Sequence, residues 1–156
     1  MRQNALSPGA WLLCVRRFLA SSIALHLVWE ILQLPLYTLW RTGSVPERLF
    51  AVVHCTIGDG MIAGLSLLVA LAAFASERWP ESGVRKIWLA MLALGVAYTI
   101  YSEWLNVTVR GSWAYAAQMP TVPPFGTGLT PLAQWIVVPT VALWISLRRP
   151  PWVERA

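Results

Sequence analysis

The chain has 156 residues, of which 57% are hydrophobic and 12% charged, with a formal net charge of +5 and a pI near 9.9. The charged share is half the roughly 25% usual in soluble domains, and the mean hydropathy is +0.57. That balance excludes a soluble enzyme, a disordered tail and a nucleic-acid module; four spans of about 20 residues each use up most of the length.

Apolar runs bounded by charges predict an all-α polytopic membrane protein, a bundle of four transmembrane helices forming one domain over residues 1-156. The first run extends from Phe18 to Trp40, between Arg17 and Arg41. The second covers Leu49 to Ala75, after Glu47 and Arg48 and before Glu77 and Arg78. A third follows Arg85 and Lys86, from Ile87 to Val107, and the last runs from Leu129 to Leu147, ahead of Arg148, Arg149, Pro150 and Pro151. The predicted spans are thus 18-40, 49-75, 87-107 and 129-147, with one long outer loop, 108-128.

Lys and Arg set the orientation. Nine lie in the N-terminal segment, the second loop and the tail (Arg2, Arg16, Arg17, Arg78, Arg85, Lys86, Arg148, Arg149, Arg155). Three lie in the other loops (Arg41, Arg48, Arg110). Both termini are therefore expected in the cytoplasm, with the protein in a bacterial inner (plasma) membrane. The basic excess serves topology, and no nucleic-acid partner is implied. No cleavable signal peptide is expected, because the run after Arg17 is long enough to span and no small-residue cleavage site follows. Cys14 is expected on the cytoplasmic flank and Cys55 inside the membrane, so no disulfide is expected.

Ionisable groups inside a span are costly, and each is a site hypothesis. There are five: His26, Glu30, His54, Asp59 and Glu103. His26, Glu30, Gln33 and Tyr37 recur at i, i+4, i+7 and i+11 on the first helix; Thr99, Glu103, Asn106 and Arg110 repeat that spacing on the third. Cys55 and Asp59 share a face of the second helix with His54 at its edge, and the fourth helix offers Gln134. Lipid cannot satisfy these groups, so the stripes must face one another. With a rise of about 1.5 Å per residue, Glu30 and Asp59 fall roughly 15 Å below the outer ends. His54, Glu103 and Gln134 fall about 6 to 8 Å below them. Two layers are expected: a deep Glu30–Asp59 pair and a shallower His54–Glu103 pair.

Two carboxyls at one depth in a low-dielectric bundle share a proton. Such a pair suits acid/base work, metal ligation, or a hydrogen bond that merely joins two helices. No cofactor is specified. His26 and His54 differ in depth by roughly 13 Å, which disfavours a bis-His haem. Were a metal held, its ligands would be Glu30, His54, Asp59 and Glu103, without the Glu-x-x-His of ferritin-like bundles. Gly60 and Gly64 mark close helix packing, and most of the ten Trp residues fall at the interfaces, as an aromatic belt does. The outer loop carries three prolines and two nearby glycines, which argue against a helix. Its aromatics, Trp113 and Tyr115 among them, are expected to fold over the mouth of the cluster.

Glu103, the stretch Gly111-Ser-Trp-Ala-Tyr115 and the Gly126-Thr-Gly-Leu-Thr-Pro131 that opens the last span resemble membrane carotenoid-processing proteins of the lycopene cyclase-domain and carotenoid hydratase groups. The likeness covers under a fifth of the chain. It departs from the cyclase pattern after Pro131-Leu132, where Ala133-Gln134 stand in place of acids. His26-Leu-Val-Trp-Glu30 is also similar to the His-x-x-x-Glu with which sterol-isomerase-like membrane proteins handle protons. These resemblances imply acid/base chemistry (isomerisation, hydration or cyclisation) on an isoprenoid-like lipid. Glu30, Asp59, His54 and Glu103 would be catalytic, and Tyr37, Asn106, Gln134, Trp113 and Tyr115 would bind substrate. Two alternatives stay open: a metal- or proton-handling membrane protein using the same residues, and an accessory subunit of a larger membrane complex. The partners expected are membrane lipid and a membrane protein or second copy.

Overall fold

A computed structural model describes residues 8–76 and 79–148. Of the charges that bound the predicted spans or set their orientation, Arg2, Glu77, Arg78, Arg149 and Arg155 lie outside the described residues, as do Pro150 and Pro151. Four helices are long and apolar enough to cross a membrane, over Trp11–Leu36, Val45–Phe74, Val84–Val109 and Leu129–Leu147. Large apolar side chains also cover their outer faces: Leu32 is 72% exposed, Met61 71% and Phe50 69%. A bundle that is apolar outside as well as inside belongs in lipid.

Helix α1 (Pro8–Gln33) ends before the apolar run does. Pro35 has no N–H and disfavours helix at the residue before it, so the chain tightens into a 3-10 turn (Leu34–Leu36) and then a short helix α2 (Leu39–Thr42). The first span therefore stops at Leu36, not at Trp40. Helix α3 (Val45–Phe74) opens on a capping box: the Ser44 amide donates to Glu47 Oε2 at 2.7 Å, and the Glu47 amide to Ser44 Oγ at 3.4 Å. Helix α4 (Val84–Glu103) continues as a wider π-helical turn, Trp104–Val109. Helix α5 (Leu129–Leu147) carries Pro139 in its interior.

The loop before α5 is not wholly irregular. Thr121–Val122 (β1) and Thr127–Gly128 (β2) pair antiparallel, Thr121 opposite Gly128, which adds a small strand pair to an otherwise helical fold. The four long helices form a ring in which α1 packs on α3 and α5, and α4 closes the other side. Gly60 and Gly64 sit where an added Cβ would meet Ile23 Cγ1 at 2.9 Å and Leu19 Cδ2 at 3.1 Å, which is the close α1–α3 approach their spacing predicts.

The interior divides along its length. Toward the end that carries the termini it is apolar, with Phe18, Leu67, Ile87, Met91, Ala142 and Leu143 at most 3% exposed. Toward the loop end it is polar, with His26, Glu30, Gln33, Thr99, Glu103 and Gln134 buried.

Candidate functional site

The polar half is organised around one amide. Gln134, in the second turn of α5, is 2% exposed. Its Nε2 lies 2.9 Å from His26 Nδ1, 2.9 Å from Glu30 Oε1 and 2.9 Å from Asp59 Oδ2. Gln33 Nε2 donates to Glu30 Oε1 at 2.7 Å and to Gln134 Oε1 at 3.1 Å. His26 Nδ1 is also 3.5 Å from Asp59 Oδ2. Three helices thus meet on a single side chain: α1 through His26, Glu30 and Gln33, α3 through Asp59, and α5 through Gln134.

Glu30 and Asp59 come together as the sequence predicts. Gln134 joins them, although its position in the chain suggests a shallower level, because the helices do not share one outer plane. Glu30 is one turn from the end of α1 at Gln33, and Asp59 lies fourteen residues into α3. His26, one of the five ionisable residues within the spans, belongs to the cluster, as does Gln33, which only its place on the first stripe announced.

A second group lies at the mouth. Tyr115 Oη donates to Glu103 Oε2 and accepts from the Gly128 amide at 2.9 Å. Tyr115 is held there by the backbone: Thr38 N donates to Ala114 O at 2.9 Å, and Ala116 N to Leu36 O at 2.9 Å. The rings of Tyr37 and Tyr115 stand 5.6 Å apart. The loop is thereby pinned across Glu103, with Tyr37 beside it. Burial, and then the bond to Glu103, hold the Tyr115 phenol above its ordinary pKa, so it stays a donor.

Two predicted site residues, His54 and Asn106, stand apart, and a third, Trp113, keeps to the mouth. His54 is on the exposed face of α3, stacked on Phe50 with centroids 5.4 Å apart. It is not a partner of Glu103, so the shallow layer is Glu103 with Tyr115. Its heading follows from α-helical spacing, since it precedes Cys55, which faces inward with Asp59. Asn106 turns back on its own helix, donating to Ser102 O at 2.9 Å. The π-helical turn after Glu103 advances less per residue around the axis and breaks the spacing that put Asn106 on the Glu103 face. Trp113 is half-buried and lies beside Glu103, its indole N–H near that carboxyl but short of hydrogen-bond geometry.

Among the described residues no three His, Cys, Asp or Glu side chains are arranged to hold a metal ion. With His54 turned outward, the set Glu30, His54, Asp59 and Glu103 is not assembled. A groove of about 250 Å³ lies on the outside of α4, lined by Ala97, Ile100, Tyr101, Trp104 and Phe125. Comparison with protein-family models, curated proteins and solved structures gives no match to this chain, so its function must be read from the site itself.

Proposed function

We propose that this membrane protein takes up and hands on protons at the buried cluster of His26, Glu30 and Asp59. The observation that carries the proposal is the convergence of three ionisable side chains on Gln134 Nε2, each at 2.9 Å. An amide nitrogen has two hydrogens and cannot serve three acceptors. Two carboxyls in a low-dielectric bundle are not both ionised, and an imidazole beside them is the usual base. A mobile proton is therefore part of the cluster's resting state. The Lys and Arg count orients the protein with both termini cytoplasmic, so the Glu103–Tyr115 mouth faces outward.

The test is infrared difference spectroscopy of the purified protein in lipid, across a pH titration. The C=O stretch of a protonated carboxyl is expected in the wild type, altered in Glu30→Gln and in Asp59→Asn. An identical band in wild type and both variants, or no band at all, overturns the proposal.

One observation favours a second reading, in which the proton goes to an isoprenoid-like lipid. The apolar groove on α4 reaches Trp104, next in sequence to Glu103, and is open to the side where a lipid chain would lie. Lipid extracts of cells with wild type and with Glu103→Gln, compared by mass spectrometry, are expected to differ. Matching extracts reject it.

A further inference from the structure

We propose that Ser22 and His26 bind one buried water molecule, which holds His26 in the tautomer protonated at Nε2 and leaves Nδ1 as the base of the cluster. The role given to Nδ1 rests on the proton-handling reading above. His26 is 0% exposed, and its Nδ1 is engaged by Gln134 and Asp59. Its other nitrogen, Nε2, has no partner among the described residues. Ser22 lies one turn toward the termini on the same stripe, is 1% exposed, and its Oγ is also without a partner.

Two adjacent polar atoms sealed inside a bundle and both unpaired are rare, because burial strips each of its solvent without replacement. Holding a water costs less than leaving both bare. The residues around them include small ones. Small residues face this level, Ala63 on α3 and Ala142 on α5, both 0% exposed. The flanking glycines place Ala63 there, Gly60 against Ile23 and Gly64 against Leu19, while Ser21 Oγ reaches Ala142 O at 3.4 Å. The neighbouring helix α5 carries a backbone carbonyl without its helical donor. Pro139 has no N–H, so the Trp135 carbonyl receives no helical donor, and the Trp135 ring packs 5.4 Å from His26. A water needs two to four such partners.

The same contacts fix the tautomer. Gln134 Oε1 accepts from Gln33 Nε2, which turns the Gln134 amide nitrogen toward His26. When one of the two Gln134 hydrogens points at Nδ1, 2.9 Å away, Nδ1 accepts, and the ring proton of neutral His26 then sits on Nε2 and needs an acceptor. The water supplies it and donates in turn to Ser22 Oγ. Nδ1 then presents its lone pair beside Asp59 Oδ2.

The experiment is solid-state NMR on full-length protein in bilayers with 15N-labelled histidine. The chain has only two histidines, and His54→Gln assigns the spectrum. The wild type is expected to show His26 Nε2 protonated with magnetisation transfer from water protons, and Nδ1 unprotonated. Ser22→Val fills the space and loses that transfer, while Ser22→Ala, which keeps the space, retains part of it. A proton on Nδ1, no water transfer in the wild type, or full transfer in Ser22→Val overturns the inference. A wild-type carboxyl band with no water transfer rejects the water and leaves the proton cluster standing. Water transfer without a carboxyl band rejects the cluster and leaves the water site.

Discussion

Replacing Gln134 with Leu removes the one side chain that joins α5 to both α1 and α3. Its amide makes four polar contacts, three through Nε2 and one through Oε1. Inside membranes an interhelical hydrogen bond contributes on average about 0.6 kcal/mol and at most about 1.7, so the three that the amide can make at once, two donated and one accepted, give a loss of about 2 kcal/mol. Leucine has similar bulk, so little dispersion is lost. Gln33→Leu is the internal comparison. It removes only two contacts, to Glu30 and to Gln134, and should cost about 1 kcal/mol. Both are measured by unfolding in mixed micelles with rising dodecyl sulfate, followed by circular dichroism. A loss of 2 kcal/mol lowers the folding constant about 30-fold, well within reach of that titration. If Gln134→Leu stays within about 0.5 kcal/mol of wild type, or costs less than Gln33→Leu, Gln134 is not the hub of the network.

Tyr115→Phe leaves the Gly128 amide and Glu103 without the phenol, at a cost of about 1–2 kcal/mol, and hydrogen exchange at Gly128 should quicken. Because the Tyr115 pKa is raised on folding, its contribution is full below the unfolded value of about 10. The gap between wild type and Tyr115→Phe should therefore be flat up to about pH 10 and narrow as pH rises through the folded value. Gly95→Ala would set a Cβ 2.1 Å from Trp135 Cε3, in a ring 2% exposed, and should cost about 3 kcal/mol or more in the same micelle titration. Gly58→Ala, whose Cβ meets nothing within 4 Å, should be neutral or slightly stabilising. His54→Ala should change stability by less than about 0.5 kcal/mol and leave the infrared carboxyl band intact; loss of that band would restore His54 to the site.

The four spans were legible because length and apolarity suffice to identify a spanning helix. So was the His26–Glu30–Gln33 stripe, since periodicity is a property of the chain. Depth was not. A ruler drawn from apolar runs assumes that every helix starts at one plane. Pro35 ends α1 at Gln33 although the apolar residues continue to Trp40, whereas α5 starts at Leu129 as expected. The early end of α1 brings Glu30 up to the level of Gln134. The placement of Asn106 failed for a different reason, since the π-helical turn after Glu103 is a departure from α-helical geometry that no hydrophobic pattern encodes. Nor could the sequence reveal the Tyr115–Glu103–Gly128 contact, which depends on the loop strand at Ala114–Ala116 pairing with Leu36–Thr38, some 76 residues earlier.

The proposed proton handling gives a reason for ionisable groups that helix association does not require. Gln33 and Gln134 already bond across α1 and α5, and a pair of neutral amides joins helices in lipid without placing a charge there. Adding Glu30, Asp59 and His26 to that pair brings in groups whose ionised forms are costly in a membrane interior. It also leaves the amide nitrogen with more acceptors than hydrogens. A scaffold built for packing can continue in the manner of the other half of the same bundle, where Phe18, Leu67, Met91 and Leu143 belong to one buried apolar cluster. The ionisable groups are confined to the loop end, where Asp59 retains 18% of its side-chain exposure and Tyr115 closes the mouth over Glu103. The proposed proton exchange would then take place on the side of the mouth, since the interior toward the other end is largely apolar.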